Sequence, residues 1–188
     1  MRYAHDVFSR FLKWRGQWTY VNCWHINEME SAAMWKLYAR TEEAICVQST
    51  YARLRDCLNS SPTCKNDYLY IGKVQYIEYQ EDSFPDPNNM LHSVMHKRRS
   101  FEHERELRAV ISRVPTGEPR RLPADPQRED FPDKTGVWVT ISLEQLIEKI
   151  NVAPSSPSWF HDLVRKVVLR HKLDKQVEKS DLDASPLY

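Results

Sequence analysis

Three glutamates and an arginine alternate with other residues near the middle of the 188-residue chain: Glu102, Glu104, Glu106 and Arg108. If this segment is a strand, the four side chains share one face, because successive side chains of a strand point to opposite sides. Like charges held so close cost free energy unless a metal, a cationic substrate or acid–base chemistry requires them. The alternatives are a solvated edge strand, or a polar helix in which Glu104 pairs with Arg108.

Glu104 is the candidate catalytic residue, because it is the middle glutamate and lies nearest the expected centre of the sheet. A carboxylate that stabilises developing positive charge needs a fixed position, which a strand provides. Glu102, two residues earlier on the same face, is the second candidate. The Glu-x-Glu spacing has low specificity by itself, because many charged segments contain it by chance.

Other polar side chains could complete a ligand site. Ser49 and Thr50 follow a predicted strand and could hold a ribose, although such residues are typical helix N-caps. His25 ends an earlier predicted strand and could bind a ribose or act as a base, but histidines at strand ends are more often structural. Arg15, just before that strand, is a candidate anion ligand or a solvated cation.

The charge balance excludes a general attraction to polyanions. The net charge is +1, so binding to nucleic acid or to an anionic membrane would need a local patch. The run Lys97-Arg98-Arg99 could be such a patch and grip a phosphate backbone. A short basic run beside acidic residues is also typical of a solvated turn that balances charge.

Length and hydropathy predict one cytoplasmic domain over residues 1–188. No apolar run approaches the roughly 20 residues of a membrane-spanning helix, and the N-terminus lacks the apolar stretch of a signal peptide. Residues 115–135 are rich in proline and predict a mobile loop, and residues 174–188 predict a polar tail. The cysteines show no Cys-x-x-Cys spacing and no His pair stands at ligand spacing beside a Cys, so no structural zinc site is predicted, and the leading hypothesis assigns no metal ligand.

Strands that alternate with helices, and helices near the C-terminus, predict an α+β fold. We expect a central, mostly antiparallel sheet, which could be split, flanked by helices. Strands are predicted over residues 17–24, 44–48, 68–79, 101–111 and 136–141. Helices are predicted over residues 7–14, 28–38, 51–58 and 143–150, and from Ser158 onward. The expected N-caps are Asn27 with Glu30 as a capping box, Ser49, Ser142 and Ser158.

Several segments together resemble a widespread bacterial domain family of unknown function. The resemblance is carried by Cys23-Trp24-His25, residues 30–38 with their Met-Trp-x-x-Tyr pattern, residues 44–50, residues 72–76, residues 97–108 with their Phe-Glu-x-Glu-x-Glu-x-Arg pattern, residues 152–159 and residues 180–188. It extends from about Tyr20 to the end of the chain. Relatives carry further sequence before the Cys-Trp-His segment, which implies that this chain starts late.

A more distant resemblance is to ADP-ribosyltransferases, including the DNA-modifying toxins among them. That fold has an Arg or His on an early strand, Ser-Thr or Tyr on a later one, and a catalytic Glu on a strand near the middle or end. The same order occurs here in His25 or Arg15, then Ser49-Thr50, then Glu102-x-Glu104. The departures are Tyr51, which stands where a third Ser is usual, and the lack of an Arg inside the first strand.

This second resemblance implies an enzyme that cleaves the nicotinamide–ribose bond of NAD and passes ADP-ribose to a protein or nucleic-acid acceptor. Glu104 would stabilise the oxocarbenium-like centre, and Glu102 would activate the acceptor. His25 and Ser49 would hold the ribose, with Thr50 and Arg15 as further NAD ligands. The setting that it implies is a bacterial toxin or a phage-defence effector.

Two other hypotheses remain open from the sequence. A metal-dependent nuclease would bind magnesium through Glu102, Glu104 and Asp86, with Lys97 or Arg98 near the phosphate. A non-catalytic module would bind a protein or nucleotide through its aromatic surface. NAD dependence separates the first enzyme from the second, which requires metal instead.

Overall fold

The computed structural model describes residues 2–65, 67–80, 89, 91–113 and 135–184. For residues 2–8 it describes the backbone alone. The chain has the predicted α+β fold. It divides into two compact units, each built from two stretches of sequence, and each is described by itself. Unit 1 comprises Met1–Ile26 and Asn66–Trp138, and unit 2 comprises Asn27–Lys65 and Val139–Tyr188. That residues 1–188 form a single domain stays a prediction.

The elements are named in chain order. The helices are α1 (Arg2–Gln17), α2 (Ala32–Tyr38), α3 (Tyr51–Ser60), α4 (His92–Met95), α5 (Leu143–Leu146) and α6 (Ser158–Arg170). The strands are β1 (Thr19–His25), β2 (Ile45–Gln48), β3 (Tyr68–Lys73), β4 (Gln75–Ile77), β5 (His96–Arg98), β6 (Glu106–Ser112), β7 (Lys149–Val152) and β8 (Gln176–Lys179). Short 3-10 turns cover Pro62–Cys64, Arg99–Glu104 and Asp181–Asp183.

The main sheet of unit 1 has β6 at its centre, antiparallel to β1 on one side and to β3 on the other. Ala109, Val110 and Ile111 are all buried, so both faces of β6 are covered. Residues that lie opposite each other in the register share a face. His25 of β1 therefore shares a face with Glu106.

The predicted strand over residues 68–79 is wrong as a single element. It breaks at the buried Val74, whose main-chain nitrogen donates to the main-chain oxygen of Glu106 at 2.9 Å. Beyond this point β4 leaves the main sheet and pairs in parallel with β5. The aromatic and β-branched residues continue across the break, so composition alone did not reveal it.

The sheet of unit 2 has β7 at its centre, antiparallel to β2 and parallel to β8. Helix α6 packs on this sheet through a shared apolar core. Its buried members are Ile147, Ile150, Val152, Val164 and Val168, and Val47, Phe160, Leu173 and Val177 pack against them.

Two predictions in unit 2 are corrected by this sheet. The helix expected over residues 143–150 ends at Leu146, and Ile150 belongs to β7. Ile150 lies four residues after Leu146, which is helical spacing. A residue of a helix or of a strand can contact the same core, so this spacing does not distinguish the two elements. The tail from residue 174 contains β8, which pairs with β7 although its sequence is polar. Residues 185–188 of that tail lie outside the described residues.

Local polar contacts fix several helix starts. Ser31, rather than the Asn27–Glu30 pair, caps α2, because its hydroxyl accepts from Met34 N. Thr50, rather than Ser49, caps α3 through a bond from Arg53 N. Ser142 caps α5 as predicted. Residue 158 is the first residue of α6 instead of its cap, and the cap position is Pro157, which makes no side-chain bond.

Other predictions concern loops, a strand and membrane spans. The proline-rich loop falls almost wholly on residues 114–134, which lie outside the described residues, and so do residues 81–88. The strand expected over residues 136–141 is absent from that described stretch, which forms neither strand nor helix. Among the described helices, none combines the length and apolar character needed to span a bilayer.

Candidate functional site

The glutamate segment is a turn followed by a strand, which corrects the prediction of one strand over residues 101–111. Arg99–Glu104 forms a 3-10 turn, here called the Glu104 turn, and β6 starts at Glu106. The two are separated by Arg105, whose φ of 41° is left-handed and ends the turn. A 3-10 helix has three residues per turn, so Glu102 and Glu104 point in different directions. Glu102 is exposed, whereas Glu104 is 7% exposed.

A compact ion cluster joins the Glu104 turn to β6. Lys97 Nζ lies 2.5 Å from Glu104 Oε2 and 2.8 Å from Glu106 Oε1. Arg108 Nε lies 2.6 Å from Glu106 Oε2. Two carboxyl groups thus face two cations, which satisfies the requirement that buried charges be paired. We call these four residues the ion cluster.

The cluster changes the proton affinity of its members. Burial would raise the pKa of Glu106, but the hydrogen bonds from Lys97 and Arg108 act in the opposite direction, and the pKa is lowered to about 2. Burial would lower the pKa of Lys97, but its bonds to the two carboxyl groups raise it. Glu106 and Lys97 are therefore charged at neutral pH.

The segment from α4 to β5 lies against the same face of the sheet. Arg108 Nη1 donates to the main-chain oxygen of Val94 at 2.5 Å. Gly72 is opposite Arg108 in the register, and a Cβ there would stand 2.9 Å from Met95 Cε. A glycine at this position allows Met95 to approach the sheet closely. Together with Lys97, these contacts hold residues 94–97 over the cluster.

His25 binds the main chain of the Glu104 turn. Its Nδ1 lies 2.7 Å from the main-chain oxygen of Glu104, and Ile26 N donates to Arg105 O at 2.9 Å. A carbonyl oxygen only accepts, so Nδ1 carries the hydrogen and the Nε2 of a neutral ring is an acceptor. Nε2 is buried and has no hydrogen-bond partner in the described part of the chain. A buried acceptor of this kind can take a hydrogen from a ligand hydroxyl.

Two neighbouring side chains were missed by the sequence analysis as members of this site. The Tyr76 hydroxyl accepts a hydrogen bond from Glu106 N at 2.9 Å. Cys23 lies opposite Arg108, and burial raises the pKa of its thiol while Arg108 acts in the opposite direction. Its thiol is therefore protonated at neutral pH and a poor nucleophile. Neither position carries a local signal, because both contacts depend on strand pairing.

Arg15 lies at the other end of β1 from His25. Its main-chain oxygen accepts from Trp18 N and from Thr19 Oγ1, which closes the end of α1 onto the strand. A seven-residue strand is about 20 Å long, so the structure does not bring the Arg15 backbone near Glu104. Partial burial lowers the pKa of the Arg15 guanidinium, and Tyr70 acts in the opposite direction.

Ser49 and Thr50 belong to unit 2, where both hydroxyls make local contacts. Ser49 Oγ donates to the main-chain oxygen of Leu146 at 2.6 Å. Thr50 Oγ1 accepts from Arg53 N at 3.2 Å and caps α3. The first bond joins the residue before the α3 cap to the last residue of α5, and the second caps α3, so both residues are accounted for structurally.

The described residues contain no group of three or more His, Cys, Asp or Glu that could hold a metal ion. Asp86, the third magnesium ligand of the nuclease hypothesis, lies outside the described residues.

Comparison of the chain with family models, curated proteins and solved structures gave no match.

Proposed function

We propose that this chain transfers ADP-ribose from NAD to an acceptor, with the chemistry carried by unit 1. The observation that supports the proposal most directly is the position of Glu104. Its main-chain oxygen is bound by His25, which fixes the backbone of the turn, and its carboxyl group is held by Lys97 until it turns toward a ribose. A carboxylate carried by a fixed backbone suits a reaction with a cationic transition state.

The reaction breaks the bond between nicotinamide and ribose, and nicotinamide leaves with the electron pair. The ribose carbon becomes cationic, and Glu104 stabilises it until a nucleophile of the acceptor forms the new bond. Glu102, exposed at the surface of the same turn, takes the proton of that nucleophile. His25 Nε2 accepts a hydrogen bond from a ribose hydroxyl.

Lys97 allows Glu104 to change partner at low cost. Its ammonium group contacts both carboxyl groups of the cluster, so it stays paired with Glu106 when Glu104 turns toward the ribose. Arg108 keeps the second oxygen of Glu106 bound throughout. The cluster can then lose one ion pair without leaving a buried charge alone.

The reacting ribose needs only groups near Glu104. Arg15 lies about 20 Å away along β1, so we give it no contact with that ribose. The NAD-binding roles of Ser49 and Thr50 stay predictions from the sequence. The acceptor is a protein or a nucleic acid, and the setting that we propose is the bacterial cytoplasm, as a toxin or a phage-defence effector.

The test measures nicotinamide release and transfer of adenine-labelled ADP-ribose to protein and nucleic-acid fractions of a cell extract. We expect Glu104→Gln to lower release by about 100-fold or more, the range seen when one stabilising group is removed. Asp67→Asn is the matched control, because it removes an ion-paired carboxylate of unit 1 that is 10% exposed and lies outside the cluster, and it should keep release within tenfold. No release by the wild type, or equal losses in both variants, would overturn the proposal.

Glu102→Gln separates bond cleavage from transfer. Nicotinamide release should continue, with water as acceptor, while label transfer falls at least tenfold. A variant that loses both to the same extent would exclude a role for Glu102 limited to the acceptor. Addition of a chelator should change neither rate.

A further inference from the structure

The outer surface of α6 in unit 2 carries an apolar line of side chains. Val164 and Val168 face the core, whereas Trp159, Leu163 and Val167 are 55%, 47% and 47% exposed. Residues four apart lie above one another on a helix, so these three form one continuous stripe. We call it the α6 outer stripe. Helix α6 therefore has two adjacent apolar faces, the one that packs on the sheet and the α6 outer stripe, and packing on the sheet requires only the first.

Cations follow the stripe on one side. Lys166 and Arg170 come three residues after Leu163 and Val167, so each lies beside the stripe on the same surface. Both are exposed, and neither makes an ion pair within the described part of the chain. Asp162 is the only carboxylate in the sequence of α6. The surface is therefore apolar along its centre and basic along its rim.

We propose that the α6 outer stripe is the docking site of an acidic amphipathic helix from a partner protein. A helix with apolar side chains at the i, i+4 and i+7 positions packs its ridge along such a line. Glutamate or aspartate beside that ridge would pair with Lys166 and Arg170, which supplies orientation and selectivity. The proposal concerns unit 2 alone and does not rest on NAD chemistry.

Charge argues against a second copy of the chain as the occupant. A second α6 would bring its own Lys166 and Arg170 close to the first pair of cations, with only Asp162 to pair with them. The stripe side chains are about half covered, so they form a surface to pack against rather than side chains that project into a bilayer. Trp159 is the one stripe residue with a ring on which a base could stack, whereas Leu163 and Val167, the other two, offer none and suit an apolar helix ridge instead.

The test selects partners from a phage library of helical peptides with leucine at i, i+4 and i+7 and with Glu, Gln or Lys at the rim positions. The whole chain is the bait. The wild type should enrich peptides with acidic rims, and Lys166→Glu combined with Arg170→Glu should enrich basic rims. A Leu163→Asp bait should enrich neither.

Affinity is then measured by fluorescence anisotropy with the selected peptides. Leu163→Ala should weaken binding at least tenfold. Leu143→Ala is the matched control, because Leu143 is 48% exposed elsewhere in unit 2, and it should stay within twofold of the wild type. Thermal unfolding checks that each variant is folded.

Three results would overturn the proposal. They are no enrichment by the wild type, enrichment without preference for acidic rims, and binding that ignores Leu163→Ala. Stripe-dependent binding of anionic vesicles or of a single-stranded oligonucleotide, or stripe-dependent self-association in sedimentation, without peptide binding would equally reject it.

Discussion

The ring of His25 is hydrogen-bonded through Nδ1 to the main-chain oxygen of Glu104 at 2.7 Å, across 79 residues of sequence. One ring nitrogen thus anchors the Glu104 turn to β1, while Nε2 is buried without a hydrogen-bond partner in the part of the chain that the structure describes. The proposed function therefore gives the two nitrogens separable tasks, one in stability and one in ligand binding.

Amide side chains can separate these tasks. The amide nitrogen of Asn stands close to the position of Nδ1 and donates as Nδ1 does, and the amide oxygen of Gln can stand close to the position of Nε2 and accepts as Nε2 does. His25→Asn should keep the bond to Glu104 O, with the free energy of unfolding within about 0.5 kcal/mol of the wild type, and lose nicotinamide release. His25→Gln should lose about 1 kcal/mol of stability, the net value of one hydrogen bond, and keep more of the release.

Urea unfolding and nicotinamide release, measured on the same preparations, check this prediction. If stability and release fall together in both variants, the ring acts as a structural anchor alone. His25→Ala, which removes both nitrogens, should show both losses.

Lys97 is the member of the ion cluster that both carboxyl groups share. Lys97→Met keeps the aliphatic stem but leaves Glu104 without its cation and Glu106 with Arg108 alone. Removal of one partner of a buried charge pair costs about 3–5 kcal/mol, and we expect a loss of that size at pH 7 in urea unfolding. The loss should shrink as the pH falls from about 4.5 toward 2, where Glu106 becomes protonated in the fold.

Arg98→Met is the matched control in the next residue of β5. Arg98 is exposed, and its guanidinium lies over the Tyr79 ring at 5.0 Å, a contact worth about 0.5–1 kcal/mol. An equal cost for the two variants would mean that the cluster adds no more than a surface contact does.

The sequence predicted elements wherever one local pattern governed them. The α+β class, β1, β2, the helix at α3 and the cap at Ser142 follow from composition, spacing and turn residues. The polar β8 was missed, because a strand's place beside β7 depends on pairing rather than on its own hydrophobicity.

The site shows the same limit more sharply. The alternation from Glu102 to Arg108 is regular, yet the left-handed Arg105 divides it into a turn and a strand. No single-residue pattern foretells a positive φ at an arginine, which is stabilised here by the bonds around it. The sequence predicts that Lys97 is a phosphate ligand or a charge-balancing residue. Its two buried partners, Glu104 and Glu106, are identified only by the position of β6, which the sequence does not show.

Glu106 should make the free energy of unfolding depend on pH in the acid range. Its pKa is about 2 in the fold against an ordinary value of 4.5, so the stabilisation is fully present above about pH 4.5 and is lost as pH falls toward 2. The difference between these two values corresponds to about 3 kcal/mol at most. Glu106→Gln should therefore lower stability at pH 7 and flatten the decline between pH 5 and pH 2.

Urea unfolding followed by circular dichroism over that pH range measures both curves. Glu144→Gln is a suitable control, because the Glu144 carboxyl is exposed and its pKa is lowered mainly by a hydrogen bond with Lys175 at the surface. Its curve should stay nearly parallel to that of the wild type. A Glu106→Gln curve that is also parallel would show that Glu106 is not a source of the acid sensitivity.

Gly72 leaves the space into which the end of the Met95 side chain packs. A Cβ at this position would lie 2.9 Å from Met95 Cε, which is the mobile end of a flexible side chain. Gly72→Ala should therefore change the free energy of unfolding by less than about 1 kcal/mol, because the terminal methyl group of Met95 can move aside. Gly72→Val adds two more carbons and should cost about 1–3 kcal/mol, the usual range for overpacking.

In the Met95→Ala background the cost of Gly72→Val should fall by at least half, since the Met95 methyl group that the valine meets has gone. Gly136→Val, at a glycine with no atom within 4 Å of a Cβ, should be nearly neutral, and additive costs at positions 72 and 95 in the double-mutant cycle would refute the contact.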